Sequence, residues 1–205
     1  MKLLKKINKG FILTVIVLIL LSIYLINQEK AKETEKKEIS QKCEQYIDFT
    51  NKYAVLPEDM QVLKQEISNT ELEKYKNEIK QELKKQMIEN EQAVDLQYQI
   101  LTSILENNIK KDSIVTQISR RMIDKPQYVF DGDQVQVIFQ SRISITEKYL
   151  ENDNDTEEDA KTRNTTYMTQ NDQINLQKVD GEWKIVYSNL QFHSNKEYYT
   201  ENISL

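Results

Sequence analysis

Three glycines, two prolines, one cysteine and one histidine in 205 residues exclude a good deal of chemistry at the outset. With so little glycine there is no Gly-rich loop to wrap a phosphate, and neither a P-loop nor a dinucleotide fingerprint can be found. Cys43 stands alone, so the chain can form neither an intramolecular disulfide nor a cysteine-built zinc site of its own. It reads as a small apolar residue on a helix face. An excess of one charge sign is also missing. The 28 basic and 33 acidic residues are interleaved, with a formal net charge of −5. No basic face is available to neutralise phosphates, and nucleic acid is not an expected partner.

The chain does contain one long apolar run. Gly10 to Ile26 carries no charge, and Lys2, Lys5, Lys6 and Lys9 precede it. As a helix it would span roughly 25 Å against a hydrocarbon core of about 30 Å, a mismatch that lysine stems absorb by snorkelling. Thirteen of its residues are Leu, Ile, Val or Phe. At about 0.3 to 0.6 kcal/mol each they supply a gross drive of about 4 to 8 kcal/mol for insertion. A cleaved signal peptide shares this layout, but Asn27 to Glu33 offers no Ala-x-Ala site and no nearby lipoprotein cysteine. An uncleaved anchor is therefore expected, with the bilayer as its partner. Long downstream domains translocate largely regardless of charge, which places the amino terminus in the cytoplasm and the rest beyond the membrane. The expected plan is a cytoplasmic tail at 1–9, a transmembrane helix at 10–26, a charged stalk at 27–38, an extracytoplasmic domain at 39–193 and a flexible tail at 194–205.

Within the domain, Ile39, Cys43, Tyr46, Phe49 and Tyr53 fall at helical spacing until Pro57 disfavours helix in Leu56. Ile39, Cys43, Tyr46 and Tyr53 also approximate a coiled-coil seam, the basis for expecting a homo-oligomer or protein partners. Pro57-Glu58-Asp59 suits a helix start, with Met60, Leu63 and Ile67 as its buried stripe. Thr70 to Glu73 reads as a capping box. It opens a long or broken helix through Leu72, Tyr75, Ile79, Leu83, Met87, Val94, Tyr98, Leu101, Leu105 and Ile109, with a gap at Asn90 and Glu91. Val94, Leu96, Tyr98 and Ile100 also alternate with period two, which keeps a strand open there.

Beyond Asp112 the period changes. Val135, Val137, Phe139, Ile143 and Ile145 alternate with polar residues, the pattern of a strand with one face on a core and one in water. Asp131-Gly132 suits a tight turn, which makes Gln127 to Phe130, or a run starting near Ile114, its partner. Thr165 to Val179 and Glu182 to Phe192 flank Asp180-Gly181 as a second hairpin. Helices followed by about four antiparallel strands define an α+β domain.

The run Leu176-Gln177-Lys178-Val179-Asp180-Gly181-Glu182-Trp183-Lys184-Ile185-Val186-Tyr187 resembles the closing hairpin of the nuclear transport factor 2-like superfamily, and Asp131 to Val137 resembles the hairpin before it. Mapped over residues 40 to 193, this implies helices packed on a curved, cone-like antiparallel sheet. Gly132, Gly181 and Trp183 would be structural, Trp183 filling the sheet end while its indole N–H finds a carbonyl. The layout of anchor plus domain is similar to the scaffold subunit of type IV secretion and conjugation systems, and to uncharacterised anchored proteins of Gram-positive bacteria.

No catalytic constellation is legible. His193 falls at or past the last strand, without a buried partner. Asp124, Asp131 and Asp133 sit at turns, where carboxylates serve the backbone. In Glu151 to Lys161, Asp153, Asp155 and Glu157 have the spacing of a calcium loop. Glu158 then occupies the glycine position and Asn164 the place of the bidentate Glu, so a solvated loop is expected rather than a metal site. Asn154, Asn164 and Asn202 fall in Asn-x-Ser/Thr triplets, which an Asn-rich chain produces by chance. No cofactor is expected. The anchor, the stalk and the lack of a catalytic constellation point to a non-catalytic scaffold or interaction module, and the resemblance implies a setting in secretion, conjugation or envelope assembly. The alternative is a small-molecule-binding domain or an enzyme whose cone pocket is lined by Tyr75, Tyr98, Phe139 and Tyr167.

Overall fold

In a computed structural model, the described residues are 9–64 and 67–191, and side chains are not described at 9–13 and 15. The chain divides into two units, residues 1–39 and 40–205. Helix α1 covers Lys9–Tyr53. In the first unit, the side chains from Ile16 to Ile26 are exposed. Among the described residues, no helix is long and apolar enough to cross a membrane. This qualifies the expected span at 10–26. The first side chains of that span lie outside the described set, and the eleven residues from Ile16 to Ile26 would reach only about 17 Å before the charges of the stalk begin.

The second unit is α+β. It consists of helices packed on a curled antiparallel sheet, as the sequence leads one to expect. The carboxy-terminal turns of α1 bury Cys43, Tyr46, Ile47, Phe49 and Tyr53. The residues of the expected coiled-coil seam that fall in this unit, Cys43, Tyr46 and Tyr53, are thus used in the domain's own core. Helix α1 ends before Pro57, and a single 3-10 turn, Glu58–Met60, stands in place of the expected second helix. Tertiary bonds claim the next groups. The Gln61 side-chain amide donates to the carbonyls of Leu56 (2.6 Å) and Thr116 (3.1 Å), and Leu63 N–H donates to Glu157 (2.8 Å). Ile67, the last residue of that expected stripe, lies outside any helix, before α2 begins.

Helices α2 (Asn69–Gln86) and α3 (Glu91–Asn107) are separate, which settles the gap at Asn90 as a break. Asn90 is the N-cap of α3, its Oδ1 accepting from Ala93 N–H at 3.1 Å. Thr70 lies inside α2, behind Ser68 at the cap position, so the expected capping box does not form. Tyr75, Ile79 and Leu83 of α2 and Val94, Leu101 and Leu105 of α3 are buried at helical spacing, and the strand reading of Val94 to Ile100 is overturned. Lys80 to Asp95 and Lys76 to Glu106, each 2.7 Å, tie the two helices together.

Five strands come next: β1 (Ser113–Met122), β2 (Gln127–Asp131), β3 (Gln134–Tyr149), β4 (Lys161–Val179) and β5 (Glu182–Asn189). β1 and β2 share one side of β3, with Pro126 in the gap between them, so the sheet is four strands wide in the order β1/β2, β3, β4, β5. The second hairpin turns at Asp180 (φ 51°) and Gly181 (φ 85°), and the first at Gly132 (φ 57°). Past α2, Ile88 N–H donates to Ile185 C=O at 2.9 Å and covers part of the outer edge of β5.

Candidate functional site

Alternation along β3 turns Val135, Val137, Phe139, Ser141 and Ile143 to the interior, while Gln136, Gln140, Arg142 and Ser144 face outward. On β4 a bulge between the pairs Phe139 to Asp172 and Ser141 to Thr169 resets the phase, so Tyr167, Thr169, Asp172, Ile174 and Leu176 all point inward. Without it, either the Tyr167 end or the Ile174 end would be forced into water. The bulge delivers Asp172 to the interior, where Arg120 of β1 meets it.

Both side chains are fully removed from solvent, with Arg120 Nη1 2.7 Å from Asp172 Oδ2. The same Oδ2 accepts from Thr169 Oγ1 at 2.7 Å and from Ser141 Oγ. Gln191, just past β5, closes the cluster. Its N–H donates to Asp172 Oδ1 at 2.8 Å, and its C=O accepts from Arg120 Nη2 at 2.7 Å. Burial pulls the Arg120 pKa below the ordinary guanidinium value while the Asp172 charge opposes that pull. A guanidinium starts so high that it stays protonated regardless. With donors on both carboxylate oxygens, the cluster ties β1, β3, β4 and the segment past β5 to one another.

A second polar group joins α1, α3 and β5. Gln97 Oε1 accepts from Tyr46 (3.1 Å) and from Ser188 Oγ (2.8 Å), and Gln97 Nε2 donates to Ser188 C=O (3.1 Å). Burial pushes the Tyr46 hydroxyl up to about 12, the Ser188 hydrogen bond pulling weakly the other way. Beside it is a cavity of about 50 Å³, lined in part by Thr50, Leu101, Asn189 and Leu190. That volume holds a few waters and no metabolite. A larger hollow of about 380 Å³ lies at the α2–α3 connection, lined by Lys84, Ile88, Glu89, Asn90, Glu91 and Val94. Its volume falls in the range of small-molecule sites, and its lining mixes charged, polar and apolar residues.

Neither hollow is lined by Tyr75, Tyr98, Phe139 or Tyr167. Tyr75 is buried on α2, its hydroxyl donating to Val55 C=O at 3.0 Å. Tyr98 is half-buried on α3 with Lys80 Nζ 5.5 Å from its ring centre. Phe139 and Tyr167 are buried on the inner face of the sheet. Trp183 is buried as expected, but its indole N–H reaches no acceptor among the described residues. Lys178 Nζ instead sits 5.4 Å from the ring centre, its strand partner across the hairpin. His193 lies outside the described residues.

In the acidic loop the carboxylates serve the backbone. Asp155 accepts from the N–H groups of Glu151 (3.1 Å) and Asn152 (2.8 Å), and Asp159 from that of Thr156 (2.8 Å). The carbonyls of Asp153 and Asp155 take the Lys64 ammonium, an internal cation where a calcium loop would hold a metal. No group of three or more metal-ligating side chains occurs among the described residues.

Arg120, Ser141, Thr169 and Asp172 are the residues that sequence reasoning missed. One clue was available: Asp is depleted from strand interiors, and Asp172 stands in the middle of a β-rich run. No family model, curated protein or solved structure matches this chain.

Proposed function

We propose that this chain is a single-pass membrane protein, amino terminus in the cytoplasm, carrying an extracytoplasmic nuclear transport factor 2-like domain. The domain acts as a non-catalytic scaffold or interaction module in secretion, conjugation or cell-envelope assembly. The carrying observation is the unbroken exposure of Ile16 through Ile26, with Ile16 48% and Leu20 61% accessible. A helix apolar on every side needs an apolar surrounding, and lipid supplies one. Support for the superfamily reading comes from helices that precede a curled antiparallel sheet with two tight Gly hairpins. The scaffold reading draws on the two buried clusters, Arg120 with Asp172 and Tyr46 with Gln97 and Ser188, whose hydrogen bonds run to one another and to the main chain.

Protease added to intact spheroplasts tests the topology. The expected result is loss of everything beyond about Gln28 with the Met1 to Lys9 tail protected, and a protected carboxy-terminal domain would overturn it. Crosslinking in native membranes tests the role. Capture of a defined protein partner or a homo-oligomer is expected, and turnover of a small metabolite by the purified protein would end the scaffold reading.

A further inference from the structure

The chain leaves β5 at Asn189, and the next two residues have no strand partner among the described residues. What holds them is the buried ion pair. Asp172 Oδ1 takes the Gln191 N–H and Arg120 Nη2 takes the Gln191 C=O, so opposite charges grip the two ends of one residue's main chain. Earlier in the chain, Ser188 is tied to Gln97 and Tyr46. Between these fixed points, Asn189 and Leu190 form part of the wall of the 50 Å³ cavity. The same short segment therefore walls one side of the cavity and covers the ion pair.

We propose that Asn189–Gln191 is a strap latched by Arg120 and Asp172, and that it opens independently of the rest of the domain to join the cavity to the charged cluster. Removing two ions from water is costly, and well-packed apolar residues of similar size would hold a sheet together as well or better. A charged pair aimed at one residue's N–H and C=O suits a different task, since these two bonds can be broken and remade without disturbing the strands that carry the charges. On release, water reaches Asp172 Oδ1 and Arg120 Nη2 and replaces what the strap supplied, which keeps the opening far less costly than unfolding. Such a strap works in the same way wherever the domain resides and whether or not it is a scaffold.

Two thiols in the full chain test it. Cys43 is fully buried and is not among the residues that line the cavity, so its labelling by a thiol reagent reports global opening. Thr50→Cys puts a second thiol on the cavity wall, where Thr50 is 5% accessible. Labelling at position 50 should be at least about tenfold faster than at Cys43. Gln191→Pro, which deletes the N–H donated to Asp172 and leaves the ion pair intact, should speed it by about tenfold more with Cys43 unchanged. Equal rates at both positions, or a Gln191→Pro effect that is shared by both or absent from both, would overturn the proposal. Should Gln191→Pro not fold, amide exchange in the unsubstituted protein decides. Faster exchange at Gln191 than at Ile174 by about tenfold supports a separate opening, and a shared rate refutes it.

Discussion

Asp172 and Arg120, 52 residues apart in sequence, meet at 2.7 Å with no solvent access on either side. Breaking such a pair from one side strands the other charge. Asp172→Asn should destabilise the protein by about 3 to 5 kcal/mol, whereas the double replacement Arg120→Met with Asp172→Leu should cost less than either single change. Urea unfolding of the full chain, followed by Trp183 fluorescence, measures all four states of the cycle.

Stability should fall in alkali. Burial raises the Cys43 thiol from 9.0 to about 12, with Glu44 adding to it, and the Tyr46 hydroxyl from 10.0 to about 12. Groups whose folded pKa is raised contribute stability that is complete below their unfolded values and lost as pH rises toward the folded ones. The thermal midpoint should therefore drop between pH 9 and 12, and Cys43→Ala should flatten the start of that drop. At pH 8 the native thiol should resist labelling until denaturant is added.

In acid the sign is reversed. Burial opposes ionisation of Glu157, but hydrogen bonds from Lys148 and the Leu63 N–H outweigh it and hold the carboxyl below its ordinary range. Glu147 is likewise resisted by burial and depressed overall by Arg163 and Ser113. Their contribution is present above the unfolded carboxyl value of about 4.3 and is lost as pH falls through the lower folded values. A thermal-shift series from pH 7 to 3 should show this loss. Glu157→Gln should reduce its slope and also loosen the link from Leu63 to the acidic loop.

Gly181 has φ 85° with nothing within 4 Å of where a Cβ would stand. A substitution there meets backbone strain and no clash. Gly181→Val should cost about 1 to 2 kcal/mol, and Gly181→Asn, which tolerates positive φ, noticeably less. Chemical denaturation of the two variants ranks them.

Local chemistry was legible in the sequence because it depends on neighbours. The alternation from Val135 to Phe139, the turns at Gly132 and Gly181, and the end of α1 before Pro57 all stem from periodicity and backbone preference within a few residues. The order of helices before strands, and so the α+β class, came from the same patterns. Tertiary structure decided whatever needed a distant partner. Val94 to Ile100 fit a strand or a helix equally by pattern, and the fit of Val94, Leu101 and Leu105 against the core selected the helix. The Pro57 to Ile67 stripe had helical spacing, but the Gln61 side chain bonds to β1 and the Leu63 N–H is taken by the acidic loop. The inward turn of Asp172 depends on a bulge whose register only β3 sets, and its charge is tolerable only because Arg120 arrives from β1. A buried ion pair is a property of two strands and a third segment brought together, and no window along the chain contains all three.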